Sequence, residues 1–262
     1  METLRALTPD DVAACVALAS DRDWPPEWDK WAFLLRVGTG FGLVDGGRLV
    51  GTTIVTRFGD AHAAVSMVLV ASSHGGRGLG RRLVGHALEF ADAPVVSLHA
   101  TSQGRPLYEK LGFRPVTRVT GHFGAFTGPA AGVSRPVAEA DRARVVAVDA
   151  EVFGADRSAL WAELFGFASQ VRVAEDGFAG TWELPGVTVV GPVVASSAER
   201  ARELISDVAA GGHVRVDVHD PGLGAWLAER GVRPRFTVDF MVRGELTGDR
   251  ARLHVPVMQA LG

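Results

Sequence analysis

A chain of 262 residues suits one large domain or two smaller ones, and 47% hydrophobic against 22% charged residues is ordinary globular composition. The net charge of −3 argues against a non-specific nucleic-acid binder, which needs a basic patch, and no apolar run approaches the roughly 18 residues of a membrane span. The single Cys15 excludes an internal disulfide, and METLRALTPDD has no basic region followed by an apolar one, so a cytoplasmic protein is expected. Arg, Ala, Val and Gly dominate while Lys is scarce, as in proteins of GC-rich bacterial genomes.

Thr3 to Leu7 reads as a short strand, and Thr8-Pro9-Asp10-Asp11 as a helix start with Thr8 as N-cap and Pro9 in the first turn. The following helix places Val12, Cys15, Val16 and Leu18 on one side. DRDWPPEWDKWAFLLRVG then brings Trp24, Trp28 and Trp31 close together, with a helical stripe resuming after Pro26. These tryptophans either anchor a short helix or line an acceptor pocket, Trp24 and Trp28 being the candidates for the second role. Gly40 to Asp45 and Arg48 to Phe58 form a hairpin about Asp45-Gly46-Gly47. Ala61 to Val70 is a third strand.

After that strand the chain narrows to HGGRGLGRRL and opens a helix whose apolar residues recur at helical spacing, from Leu79 to Phe90. A strand, a glycine loop and a helix in that order present free backbone N–H groups at a helix N-terminus. That end carries about half a positive charge and suits a phosphate. Pro94 to Ala100 is a short buried strand, Gln103 to Leu111 a helix broken by Gly112, and Phe113 to Val116 and Gly121 to Phe126 are further strands.

HGGRGLGRRL, followed about 20 residues later by a strand and then by GRPLYEKLGFRPV, resembles the GNAT acyltransferase superfamily over roughly residues 1–126. The resemblance implies acetyl-CoA, or another acyl-CoA, as co-substrate in a cleft opened by two splayed strands. Its pyrophosphate would sit on N–H groups of Gly75, Gly76, Arg77, Gly78, Leu79 and Gly80, with Arg81 beside them. Its pantetheine arm would pair like an extra strand with Val68, Leu69 and Val70. Many relatives carry Gln or Arg where this chain has Gly75; His74, Arg77 and Arg81 or Arg82 are the replacement sources of positive charge. Tyr108, the only tyrosine in the chain, falls on the motif position whose family role is general acid to the departing thiolate.

An ammonium acceptor must lose a proton before it attacks. Asp60 and His62 at the start of the third strand are candidate bases, as is His99 at the end of the next, although a lone strand histidine is more often structural. The eight histidines show no metal-ligand spacing, so no metal is expected.

FTGPAAGVSR is aperiodic and reads as a linker. Beyond it the order of elements repeats: helices over Glu139–Phe153 and Arg157–Phe167, a hairpin about Asp176-Gly177, the strand Val187–Ala195, a helix over Ser197–Ala210, the strand His213–Val218 and a helix over Leu223–Arg230. Gly231-Val232-Arg233-Pro234 echoes Gly112-Phe113-Arg114-Pro115 and puts Leu227 where Tyr108 stands. Ser196 and Glu199 form a capping box at the point that the first half leaves open with glycines. Trp161, Trp182, Trp226, His219 and Asp239 either pack or contribute to a pocket between the halves.

The expectation is an α/β (α+β) chain of two tandem GNAT-like domains, each a mixed, mostly antiparallel sheet flanked by helices. Residues 1–126 form the acyl-CoA domain, 127–134 a linker, and 135–262 a degenerate, non-catalytic copy. The expected function is N-acetyl transfer from acetyl-CoA to a primary amine by direct attack, with a catalytically silent acyl-CoA sensor or scaffold as the alternative. No nucleic-acid or membrane partner is expected. The chain is read as a monomer or a homodimer, with Phe236 to Arg243 as an edge strand free to pair in the latter.

Overall fold

The computed structural model describes residues 2–262. Strand β1 (Thr3–Ala6) leads through a 3-10 turn into helices α1 (Val12–Ser20) and α2 (Trp28–Val37). An antiparallel meander follows: β2 (Thr39–Asp45), β3 (Arg48–Phe58) and β4 (His62–Val70). The β2–β3 turn is built on Gly46 and Gly47, both at positive φ, as the Asp-Gly-Gly sequence requires. Helix α3 (Leu79–Ala91) crosses to β5 (Val95–Ala100), parallel to β4, and α4 (Arg105–Lys110) leads into β6 (Arg114–Ala125). The two strands expected on either side of residues 117–120 are therefore one continuous strand, because β6 is hydrogen-bonded along both edges and has no cause to break.

The same order returns after an irregular segment. It comprises β7 (Arg135–Pro136), α5 (Glu139–Phe153), α6 (Ser158–Phe167), β8 (Gln170–Ala174), β9 (Gly177–Leu184) and β10 (Val187–Ala195). Then come α7 (Ala198–Ala209), β11 (His213–Val218), α8 (Pro221–Glu229), β12 (Arg233–Arg243) and β13 (Leu253–Val255), with a 3-10 turn at Gln259–Leu261. The irregular segment is tethered: the Asp207 carboxylate accepts from the backbone N–H groups of Gly132, Val133 and Ser134 at 2.6, 3.1 and 2.9 Å.

The two halves do not keep separate sheets. One sheet runs in the order β1-β2-β3-β4-β5-β12-β6-β11-β10-β9-β8-β7, with β13 paired to β10. The last long strand of each half is inserted into the other, β12 between β5 and β6, and β6 between β12 and β11. The expectation of a free edge at Phe236–Arg243 is corrected by this exchange, since β12 is paired on both sides.

A shared apolar core joins the helices of the two halves. Leu34 and Trp31 of α2 and Trp161 and Leu164 of α6 lie in it fully buried, and Phe33 stacks on Phe167 at 4.0 Å. Burying aromatics of this size is a major stabilising contribution, about 1.5–3 kcal/mol per large side chain. On the other side of the first half, Val84 and Ala87 of α3 pack with Phe41, Val55, Ala63 and Val65.

Candidate functional site

Strands β4 and β5 are paired only from His62–Ala64 against Val95–Ser97, after which they part. The cause is local to β4. Met67 takes φ +51°, its carbonyl accepts from the Thr52 hydroxyl at 2.8 Å, and the β3–β4 register shifts between Thr52 and Ile54. Such a bulge bends one strand away from its neighbour. Beyond it, Leu69 and Val70 pair with Thr52 and Gly51 of β3, and among the described residues no strand pairs with their other edge.

The loop that follows is held from beneath. The Asp21 carboxylate accepts from Ser72 N at 2.6 Å and Ser72 Oγ at 2.9 Å, bonds that hold its carboxyl below the usual range. The His74 ring reaches Asp45 at 3.2 Å. Gly76 and Gly78 both take φ +75°, and a Cβ built on either would meet nothing, so backbone conformation is what requires glycine there. Gly78 is the N-cap of α3 and supplies no side chain, which leaves the first-turn N–H groups open. Of the basic residues, Arg77 is ion-paired with Glu2 and Arg82 donates to the Glu2 carbonyl at 3.0 Å. Arg81 is exposed and has no partner among the described residues.

Gly75 has φ −60° and ψ 153°, an extended conformation open to any residue. A Cβ there would lie 3.5 Å from the Ser72 carbonyl, an ordinary contact.

Tyr108 lies on α4 in the apolar cluster formed by Ala63, Val65, Ala100 and Phe113, 8% exposed. Its ring meets Phe113 edge-on at 6.0 Å, and a Cβ on Gly104 would stand 3.0 Å from the Tyr108 ring. Burial pushes its phenol up to about 12. A phenol in this setting stays protonated at neutral pH and is available as a donor.

The other predicted residues are distributed around this centre. Asp60 is fully exposed at the β3–β4 turn and reaches Arg57 at 3.3 Å. It lies seven positions before Met67, at most roughly 23 Å at the usual strand rise. His62 is buried on the face of β4 opposite to the Tyr108 cluster, stacked on Phe153 at 4.8 Å, with Nε2 2.8 Å from Ser97 Oγ. Burial, with Arg250 and Arg157 nearby, lowers its pKa to about 3. His99 faces the same side and donates or accepts through Nδ1 at 2.7 Å from the Gln259 carbonyl; since a carbonyl only accepts, Nδ1 carries the proton. Trp24 lines a cleft described below, whereas Trp28 projects from α2 at 51% exposure and does not. Trp161 and Trp182 are core residues, Trp226 packs on Phe126, and Asp239 pairs with Arg105.

Sequence reasoning missed Asp21, Glu2 and Gln259. Each acts through a contact with a segment remote in sequence, and none belongs to a motif.

The second half repeats the frame with different contents. Tyr108 O accepts from Leu111 N and Phe113 N, and Leu227 O accepts from Arg230 N and Val232 N, all at 3.0 Å, so Leu227 stands in the backbone position of Tyr108. Strands β10 and β11 pair only from Thr188–Val190 against Val214–Val216 and then part. That opening is filled: Val255 and Leu253 of β13 pair with Val193 and Val194. At α7 the cap is Ser197, whose Oγ accepts from Arg200 N at 3.1 Å. This corrects the expected Ser196–Glu199 box, because Ser196 Oγ is drawn to the Asp176 carboxylate instead.

Among the described residues no group of three or more His, Cys, Asp or Glu side chains is placed to hold a metal ion, and no helix is long and apolar enough to cross a membrane.

The Acetyltransferase (GNAT) family profile matches residues 6–113, and the Acetyltransferase (GNAT) domain profile matches residues 145–254. The uncharacterized N-acetyltransferase YitH of Bacillus subtilis is 27% identical over 233 residues, which is 83% of this chain and 82% of that protein. In fold, the chain is similar to a putative acetyltransferase from Pyrococcus horikoshii, with a TM-score of 0.85, 20% identity and coverage of 100% and 96% of the two chains. It is also similar to a tandem GNAT protein from the clavulanic acid biosynthesis pathway, with a TM-score of 0.64, 16% identity and coverage of 95% and 99%. The strand–glycine-loop–helix unit, the parted strands and the two profile matches agree: this chain belongs to the GNAT acetyltransferase family as two such domains in tandem, and is an acyltransferase of that family.

Proposed function

We propose that the protein transfers an acetyl group from acetyl-CoA to a primary amine, and that residues 1–126 carry the chemistry. The observation that carries this reading is the unpaired edge of Val68–Val70, which runs directly into a helix N-terminus left uncapped. Backbone groups on that edge suit the amides of the pantetheine arm, and the N–H groups from Gly76 to Gly80 suit the pyrophosphate, that of Gly75 being engaged by the Ser72 carbonyl at 3.4 Å, with Arg81 as the unengaged cation.

Transfer is a single displacement. The amine nitrogen attacks the thioester carbonyl, a C–N bond forms, the C–S bond breaks, and Tyr108 gives its proton to the departing thiolate. The tyrosinate is reprotonated from solvent, to which the amine's proton is also lost. A phenol pushed up to about 12 by burial holds its proton until a thiolate develops beside it. Asp60 is too far along the strand to serve as base. His62, with a lowered pKa and both ring nitrogens near polar partners, suits holding Ser97 rather than removing a proton.

Residues 127–134 serve as the linker, and residues 135–262 as a non-catalytic partner. The filled β10–β11 opening, the Ser197 cap and Leu227 all support that division.

The test is thermal unfolding with millimolar acetyl-CoA, followed by assay of released CoA thiol against a panel of amines. A raised Tm and amine-dependent thiol release are expected, since a ligand of the native state stabilises it. An unchanged Tm overturns the reading. Tight binding with no transfer to any amine would make the protein an acyl-CoA sensor instead.

A further inference from the structure

Strands β11, β6 and β12 carry α8 on one face, where a Cβ on Gly224 would meet the His122 ring at 3.1 Å. The opposite face of these exchanged strands opens into a cleft of about 660 Å³. Its walls come from both halves: Trp24, Glu27 and Lys30 beside α2, and Phe123, Arg215 and Phe236 on the central strands, with Gln259 at one side. Two attachments tie it to the parted strands. Asp21, at the start of the loop carrying Trp24, binds Ser72 just beyond β4, and the Gln259 carbonyl binds His99 of β5.

The charges in this cleft come as two ion pairs and the carboxylate of Asp23. Glu27 and Lys30 meet at 2.6 Å, with side chains 6% and 12% exposed. Arg215 grips Asp217 through Nε and Nη2 at 3.0 and 2.7 Å. Each pair is neutral, so the net charge of the cleft is the single negative one of Asp23, not the acidic cluster that a polycation would need. Yet each pair has capacity left. Among the described residues Arg215 Nη1 and the buried Gln259 Nε2 have no partner, and Lys30 uses one of its three donors. Glu27 Oε1 is a spare acceptor. Between them the surface is apolar: the Arg215 guanidinium lies 5.5 Å from the Phe123 ring and 5.2 Å from the Phe236 ring, with Trp24 facing them across the cleft.

We propose that the acceptor is a zwitterionic amino acid with an apolar or aromatic side chain. Its carboxylate meets Arg215, Lys30 and Gln259, its amino group meets Glu27, and its side chain lies between Trp24 and the two phenylalanines. The products are the N-acetyl amino acid, CoA thiol and one proton. This rests on the acetyl-transfer reading above.

The experiment compares kcat/KM for phenylalanine and leucine, for their decarboxylated amines phenethylamine and isoamylamine, and for spermidine. The amino acids should exceed their decarboxylated partners by about 10-fold or more, the scale of one charge-assisted hydrogen bond. In Gln259→Glu and in Lys30→Met that ratio should fall towards one, with acetyl-CoA affinity by calorimetry as the control for folding. Preference for the decarboxylated amines or spermidine overturns this inference and leaves acetyl transfer standing. Acetyl-CoA binding without transfer to any of the three classes overturns it too. Absence of acetyl-CoA binding overturns the underlying reading.

Discussion

The Arg105 guanidinium of α4 reaches the Asp239 carboxylate of β12 at 3.1 Å, so the helix that carries Tyr108 is fastened to a strand from the other half. Asp239 is 15% exposed and Arg105, which is open to solvent, also holds Glu109, so the pair contributes little to stability. Its effect should be larger on geometry. Asp239→Asn is expected to lower kcat several-fold with acetyl-CoA affinity unchanged, measured by steady-state kinetics beside calorimetry. An equal loss in affinity would place the effect in the cofactor cleft instead.

Tyr108→Phe should reduce kcat about 100-fold or more while leaving acetyl-CoA binding and folding nearly intact, since the hydroxyl has no hydrogen-bond partner among the described residues. Because the phenol is pushed up to about 12, kcat should show no alkaline fall near pH 10. A limb at pH 10 that vanishes in the Phe variant would contradict the burial argument.

Two glycines one residue apart should respond in opposite ways. Gly75→Arg fits an extended backbone with room for a Cβ, and adds a cation beside the α3 N-terminus; acetyl-CoA should bind several-fold more tightly. Gly76→Ala forces a left-handed φ of +75° on a residue with a Cβ, which costs about 1–2 kcal/mol and should weaken binding. Titration calorimetry on both variants checks the contrast.

His62 is expected to shape the acid side of stability. Its pKa is about 3 in the fold against 6.5 when free, so between those values the unfolded chain takes up a proton that the native chain does not. Stability from this residue is therefore complete above pH 6.5 and is lost as pH falls towards 3. Urea unfolding of His62→Asn at pH 7 and pH 5 should show a smaller difference than the parent does. An equal difference would mean that the imidazole is not buried as described.

Strand exchange predicts that the halves depend on each other. A chain ending at residue 134 would leave β5 without β12 and β6 without both β12 and β11, exposing three unsatisfied edges. Such a fragment should be insoluble or unfolded by circular dichroism, and co-expression with residues 135–262 should restore a folded complex. A soluble, cooperatively folding fragment would show that the exchange is dispensable.

What the sequence made legible was local. Helix α5 and strand β11 fall where periodicity put them, and the glycine loop announced its strand and helix. The repeat of Gly112-Phe113 in Gly231-Val232 correctly aligned Leu227 with Tyr108. The exchange of β6 and β12 was not legible, because both strands read alike on either side and alternation carries no information about a partner more than 100 residues away. The α7 cap was missed by one residue for a similar reason: Ser196 and Ser197 are equivalent in sequence, and Asp176 on a distant turn decides between them. The cleft around Arg215 was invisible because its walls come from six separate segments.

Strand β13 gives the repeated half a structural purpose. By taking up Leu253 and Val255, the parted strands β10 and β11 act as a socket for the final stretch of chain. Four residues past Val255 that stretch reaches Gln259, whose carbonyl fixes the proton position on His99 and which lines the cleft at one side. A disturbance of the grip on β13 would thus travel along a very short tether to β5 in the first half. One copy of the fold has become the mount on which the other is aligned.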